Sequence, residues 1–174
     1  MRAELIELTA TSDVPVLSDG TITLRAHQTD DVDRIVGYAT DSLTMRWAKM
    51  PSPYGRSDAE RLIINALQGW RNGTSMIWAI EHDGRFVGSI DLRGPGRIVD
   101  IGFGLHPDAR GEGLVRRAMV LAMQYAVDRR DVEVVRWEAA EGNLTSLRAA
   151  HAAGFTLVGR LPDWLEMNSG VVDA

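Results

Sequence analysis

The residues best suited to chemistry sit in one short stretch: Leu105-His106-Pro107-Asp108-Ala109-Arg110-Gly111-Glu112-Gly113-Leu114. Val99, Ile101, Phe103 and Leu105 alternate ahead of it, which predicts a strand. Leu114, Ala118, Leu121 and Tyr125 recur behind it at helical spacing. A strand therefore runs through a glycine-rich turn into a helix. Glycine lets that turn bend tightly and aim several N–H groups one way. The helix start adds partial positive charge at the same place. The combination is an anion site, and a phosphate ester suits it. It is not a Walker loop, because no Gly-Lys-Ser/Thr follows. It is not a dinucleotide fingerprint either, because Arg110 stands where a first glycine would be. An ordinary strand-to-helix turn that binds nothing would use the same glycines.

A second group follows about thirty residues on, after one intervening strand. Asn143-Leu144-Thr145-Ser146 leads to Gly154-Phe155. Asn143 suits a helix N-cap and Gly154 a left-handed C-terminal residue. Asp100, Glu138, Asp163 and Glu166 are candidate proton acceptors, each equally readable as a solvated charge. The chain has no cysteine, which removes thiol nucleophiles, thiolate metal sites and disulfides together. Lys49 is the only lysine, so Schiff-base chemistry would rest on one residue. His27, His82, His106 and His151 lack ligand spacing, and no metal is expected.

The elements that must position these groups read in order. Residues 1–19 form an N-terminal arm, with an edge strand at Leu5-Ile6-Glu7-Leu8. Residues 20–174 form a single domain. Residues 21–25 are its first strand, and Thr29 caps a helix striped by Val32, Ile35, Val36 and Ala39. Residues 41–56 are irregular, because Pro51 and Pro53 prevent a long helix. Met45, Trp47, Met50 and Tyr54 in this stretch either pack between helices or wall an acceptor pocket. Ser57-Asp58-Ala59-Glu60 reads as a capping box, and Gly73 ends the helix behind it. Residues 76–81 and 86–92 are strands joined by an Asp-Gly hairpin turn. Gly94-Pro95-Gly96-Arg97 turns the chain again. After the central strand and long helix come a strand at 132–139, a helix at 143–153 and a strand at 155–161. Residues 171–174 begin one more, short enough to leave an open edge that invites a second copy to pair as a homodimer. The class is α/β, a mixed central sheet flanked by helices.

Composition narrows the partners. The 174 residues carry a net charge of −5, so bulk attraction to nucleic acid or an anionic membrane is not expected. No apolar run reaches the ~20 residues of a membrane span and no signal-peptide core is evident, which leaves the cytoplasm as the expected compartment.

The turn at Arg110-x-x-Gly113-x-Val115 resembles the Arg/Gln-x-x-Gly-x-Gly/Ala turn of GNAT acyltransferases, which binds the pyrophosphate of acetyl-CoA. Val115 departs from that pattern. With Asn143-x-x-Ser146, Gly154-Phe155 and the Gly159-Arg160-Leu161 ending, residues 20–174 resemble the branch containing ribosomal-protein alanine N-acetyltransferases. The resemblance implies the GNAT acyl-CoA N-acyltransferase fold, with two parallel strands splayed at the cofactor site. It implies acetyl-CoA as acyl-donor co-substrate. Arg110, Gly111, Glu112, Gly113, Leu114 and Val115 would hold the pyrophosphate. Phe103, Gly104 and Leu105 would pair with the pantetheine through their backbone and stabilise the oxyanion, and Asn143 would contact the pantetheine arm. Ala150 stands where many members carry an acidic tyrosine, which leaves Ser146 to meet the departing thiolate.

Without cysteine, direct attack by an amine in a ternary complex is the simplest route. An α-amine titrates near ~8 and a lysine amine near ~10.4, so freeing the latter costs roughly 3 kcal/mol more. A weakly specified base therefore favours an α-amine on a peptide N-terminus or small molecule. Two alternatives stand beside this reading: a catalytically silent module that binds CoA or a partner, and an acetyltransferase of antibiotics or polyamines.

Overall fold

The computed structural model describes residues 13–94 and 96–174; the edge strand expected at residues 5–8 lies outside them, as does Pro95. Six strands form the main sheet in spatial order β1 (Leu17–Ser18), β2 (Thr23–Arg25), β3 (Ser75–His82), β4 (Arg85–Arg93), β5 (Ile98–Leu105) and β6 (Val134–Arg136). Neighbours from β1 to β5 are antiparallel, whereas β5 and β6 run parallel. The helices are α1 (Val32–Ala39), α2 (Ser42–Trp47), α3 (Arg56–Asn72), α4 (Leu114–Arg130) and α5 (Leu144–Ala152). A separate hairpin pairs β7 (Leu165–Met167) with β8 (Gly170–Val172).

Side chains alternate across a strand, so the register assigns each face. Trp78 pairs with Ile90 and shares its face with Tyr125 of α4, whose ring meets Trp78 edge-on at 5.6 Å. Ala79, Ser89 and Gly104 lie on the opposite face, which α1 covers: Tyr38 lies against Gly104. Ile22, Leu24, Trp78, Ile80, Ile90 and Leu92 are fully buried between these layers. Arg25 anchors the start of α1, donating to both oxygens of buried Asp31 at 2.8 and 2.9 Å. The turn between β3 and β4 follows the expected hairpin: Asp83 and Gly84 have φ of 51° and 72°, the left-handed pair a two-residue turn needs.

Several local expectations are corrected. The N-cap of α3 is Gly55, two residues before the predicted Ser57, because the Asp58 carboxylate accepts the Gly55 N–H at 2.9 Å. A 3-10 turn, Thr29–Asp31, precedes α1; Gln28 rather than Thr29 is its N-cap, and the Asp31 carboxylate reaches back to accept the Gln28 N–H at 2.8 Å. The irregular stretch contains α2, nucleated by Asp41, whose carboxylate accepts the Thr44 N–H at 3.0 Å. The strand expected at 132–139 pairs only over Val134–Arg136.

The strand expected at 155–161 does not form. Residues 155–160 have no strand partner, and Leu157 and Val158 are exposed at 63% and 97%. Only Leu161 pairs, exchanging two backbone hydrogen bonds with Ala174 at 2.9 and 3.0 Å. An alternating pattern needs a neighbouring strand to satisfy its backbone.

Candidate active site

The parallel pair parts early. Register between β5 and β6 runs from Ile98↔Val134 to Asp100↔Arg136 and stops. Strand β5 continues to Leu105 with β4 on one side and no strand on the other. The backbone of Phe103, Gly104 and Leu105 therefore borders an open wedge, and an extended chain bearing amides can complete it.

The glycine-rich turn lies at the end of this edge. Gly111 and Gly113 have φ of 89° and 73°, conformations a side chain resists, and a Cβ on either would meet nothing within 4 Å. The space in front of the turn is open. The N–H groups of Gly111, Glu112 and Gly113 have no hydrogen-bond partner among the described residues. Those of Leu114 and Val115, in the first turn of α4, have no intrahelical partner by geometry. No carboxylate stands within that first turn. The Glu112 side chain leans away, 3.8 Å from His82. Five N–H groups and a 17-residue helix thus face one open space, which fits a pyrophosphate.

Arg110 supports the turn from behind. Its guanidinium donates to Leu105 O at 3.3 Å, to Asp41 at 2.5 Å and to Thr44 at 3.1 Å. These bonds hold Asp41 well below the usual carboxylate range. They also tie the turn to α2, so the Arg110 side chain braces the turn.

Ser146 and Asn143 lie across the wedge. Asn143 caps α5, its Oδ1 accepting the Ser146 N–H at 3.2 Å. Trp137, the first residue past β6, donates its indole N–H to Ser146 Oγ at 3.1 Å. That bond uses an oxygen lone pair and leaves the hydroxyl hydrogen free to point elsewhere. Serine is thereby fixed where β5 and β6 separate.

The four carboxylates expected as bases are spread apart. Asp100 is gripped by Arg136 at 2.9 and 3.1 Å, at the closed end of the parallel pair. Glu166 pairs with Lys49 at 2.8 Å, which lowers its pKa, and is 75% exposed. Asp163 occupies an exposed left-handed turn position with φ of 51°. Glu138 lies just beyond Trp137 and accepts the Trp164 indole N–H at 2.9 Å. Of the four, only Glu138 continues β6 past the point where the strands part.

The sequence reading missed Asp91, Tyr38 and the role of Tyr54. Asp91 stands in an otherwise apolar part of β4, opposite Gly102, and burial pushes its carboxyl pKa up. Tyr38 is buried on α1 and pushed up to about 12 by burial, with Asp91 next in effect. Its hydroxyl also lies near Tyr54, Arg110 and Asp41. A charged residue within Val87-Gly88-Ser89-Ile90-Asp91-Leu92 was the available signal. Met50 and Tyr54 pack on the core, while Met45 is exposed and Arg46 covers the Trp47 ring at 4.6 Å.

A wedge between parallel strands, closed at one end by a helix N-terminus, defines an acyl-CoA transferase scaffold. The family model for the acetyltransferase (GNAT) domain matches residues 21–156, and the chain belongs to this family of acetyl-CoA-dependent N-acetyltransferases. Solved structures share the fold. The microcin C7 self immunity acetyltransferase MccE, in complex with acetyl-CoA and AMP, is 19% identical, with a TM-score of 0.80 over 89% of each chain. An acetyltransferase from Salmonella typhimurium that modifies the N-terminal serine of ribosomal protein L7/L12 is 15% identical, with a TM-score of 0.82 over 91% of this chain and 95% of that one. The ribosomal-protein-S5-alanine acetyltransferase of Vibrio fischeri is 15% identical, with a TM-score of 0.77 over 91% and 92%. No curated protein sequence matches the chain.

Proposed function

We propose that this chain transfers the acetyl group of acetyl-CoA to an α-amine, on a peptide N-terminus or a small molecule, by direct attack in a ternary complex. The observation that carries the reading is the cluster of unpartnered N–H groups at the start of α4, beside the parted edge of β5. The turn from Gly111 to Val115 would hold the pyrophosphate, and β5 from Phe103 to Leu105 would hold the pantetheine. A backbone N–H there would also bind the developing oxyanion, a role worth several kcal/mol, about 3, in acyl transfer. Ser146, held by Trp137, would donate a hydrogen bond to the departing sulfur. The Salmonella and Vibrio neighbours are described as acting on protein α-amines or ribosomal proteins, which supports the same acceptor class.

The test is release of free CoA thiol from acetyl-CoA with two matched peptides. One has a free N-terminus and a blocked lysine, and the other is reversed. Faster turnover of the first is expected. Faster turnover of the second overturns the α-amine reading, and no turnover across a library of amines supports the silent module instead.

A further inference from the structure

Glu112 is the one carboxylate carried by the glycine-rich turn, between Gly111 and Gly113. Its place is awkward for any anion that the turn would hold. The N–H groups of residues 111–113 have no partner among the described residues, and the space before both glycines is open. Unpartnered N–H groups and the positive end of the 17-residue α4 both attract a carboxylate. A glutamate settled there would repel a pyrophosphate and take its donors.

The structure holds the side chain elsewhere. Glu112 Oε2 lies 3.8 Å from His82 Nε2, and Asp83 Oδ2 lies 3.6 Å from the same nitrogen. The other ring nitrogen, Nδ1, lies 2.9 Å from Thr21 O. A carbonyl only accepts, so Nδ1 carries a hydrogen whether the ring is charged or neutral. Nε2 is therefore the nitrogen that gains or loses the proton. Neutral, it turns a lone pair toward two carboxylates. Protonated, it turns an N–H and a positive charge toward them. One geometry is thus repulsive in the first state and attractive in the second.

The ring is itself held in place. Thr21 belongs to a loop that Asp19 fastens: Asp19 Oδ1 accepts the Thr21 and Ile22 N–H groups at 2.9 and 3.0 Å, and Oδ2 accepts from Arg117 of α4 at 2.7 Å. That loop is thereby tied to the helix which the glycine-rich turn opens. The charged groups around His82 are Asp83 from its own hairpin, Glu112 from the turn, and the mutually paired Asp19 and Arg117. Arg85, its register partner on β4, reaches instead toward Asp108 at 3.8 Å. Of the two carboxylates on Nε2, only Glu112 belongs to the turn.

We infer that His82 is a positioning residue for the cofactor: in its protonated form it holds the Glu112 carboxylate away from the N–H groups of the turn and leaves them to the pyrophosphate. The inference rests on the acetyl-CoA reading above, in which the pyrophosphate occupies this turn. When His82 loses its proton, Glu112 is released to its own turn and competes with the cofactor. CoA binding therefore weakens as pH rises through the range in which histidines change charge, between about pH 5 and 8.

Calorimetric titration of the full chain with CoA, in buffer free of phosphate, tests this from about pH 6 to about pH 8. Glu112→Gln keeps the backbone and the side-chain length but has no charge to release. The phosphate monoester of CoA titrates in the same range, and dividing the wild-type Kd by the Glu112→Gln Kd at each pH removes its effect. The ratio should rise about two- to fivefold across the range, the span that partly exposed ion pairs cover. A flat ratio overturns the inference. At the acid end, His82→Gln should weaken CoA binding by the same factor in the wild-type background and by less than about 1.5-fold in Glu112→Gln. Equal loss in both backgrounds means that His82 acts directly or through the fold, and overturns the positioning role. If His82→Gln does not fold, the ratio of the wild-type and Glu112→Gln profiles decides alone. Gly113→Val in the same titrations separates the two failures. CoA bound as tightly by this variant puts the pyrophosphate elsewhere, so the functional reading fails and the inference falls with it. Weakened binding by Gly113→Val together with a flat ratio rejects the inference alone.

Discussion

Replacing Gly104 with alanine would probe how closely the α1 helix is built onto the working edge of the sheet. The new Cβ would sit 2.1 Å from Tyr38 Oη, 2.7 Å from Cζ and 2.8 Å from Cε2. Ordinary contact begins near ~3.5 Å, so the ring must retreat by about 1 Å. Tyr38 is only 8% exposed and is wedged between α1 and the sheet, so retreat means displacing α1 itself. Overpacking of this kind costs about 1–3 kcal/mol. For a domain of this length that lowers Tm by roughly 3–10 °C. The same shift disturbs the β5 edge proposed to hold the pantetheine, so the KM for acetyl-CoA should rise as stability falls. Calorimetry and thiol-release kinetics on Gly104→Ala, Tyr38→Leu and the double variant measure both effects. In the Tyr38→Leu background the alanine should cost less than ~0.5 kcal/mol, a coupling of at least ~0.5 kcal/mol. Equal cost in both backgrounds would refute the contact as the cause.

Ser146→Ala should lower kcat about ten- to a hundredfold with little change in the KM for acetyl-CoA, because its hydrogen bond strengthens as sulfur gains charge; a wild-type kcat would assign the thiolate to water. Gly113→Val places a β-branched side chain at φ of 73° in the open space before the N–H cluster. Calorimetry should show CoA affinity reduced at least about tenfold, beyond what the ~1–2 kcal/mol of backbone strain does to Tm. His27 gives a pH prediction. It is 1% exposed, and burial pulls its pKa from 6.5 down to about 4. Below pH 6.5 the unfolded chain binds a proton that the folded chain refuses, so stability falls as pH drops through this window and is unaffected above it. The loss approaches roughly 3 kcal/mol at the acid end. Urea midpoints for the wild type should fall between pH 7 and 5, with a shallower fall in His27→Asn; parallel curves would refute the assignment.

Much of this protein is written locally. The glycines at 111 and 113, the alternation of β5 and the periodicity of α4 act within a few residues of each other. Turn conformation, strand face and helix start are all short-range consequences of backbone sterics, so the strand, glycine-rich turn and helix were legible in the sequence. The Asn143 cap and the hairpin at Asp83-Gly84 belong to the same category. Capping at the start of α3 was legible only in kind, because two acids lay within reach and Gly55 selected Asp58.

Other features depended on distant partners. Residues 155–160 alternate like a strand, yet a strand exists only where a neighbour accepts its hydrogen bonds, and no neighbouring strand lies beside them. The Arg110 side chain has no local partner in the sequence; packing gives it Asp41, just before α2, and Thr44 in α2. Asp100, the most central acid in the sequence, is neutralised by Arg136, 36 residues away, because the parallel register puts them side by side. Asp91 was placed by the same means: register set it against Gly102, and Arg93, two residues on along β4, pairs with it at 2.5 Å. Short-range sterics made the glycine-rich turn, and long-range packing decided which charges meet.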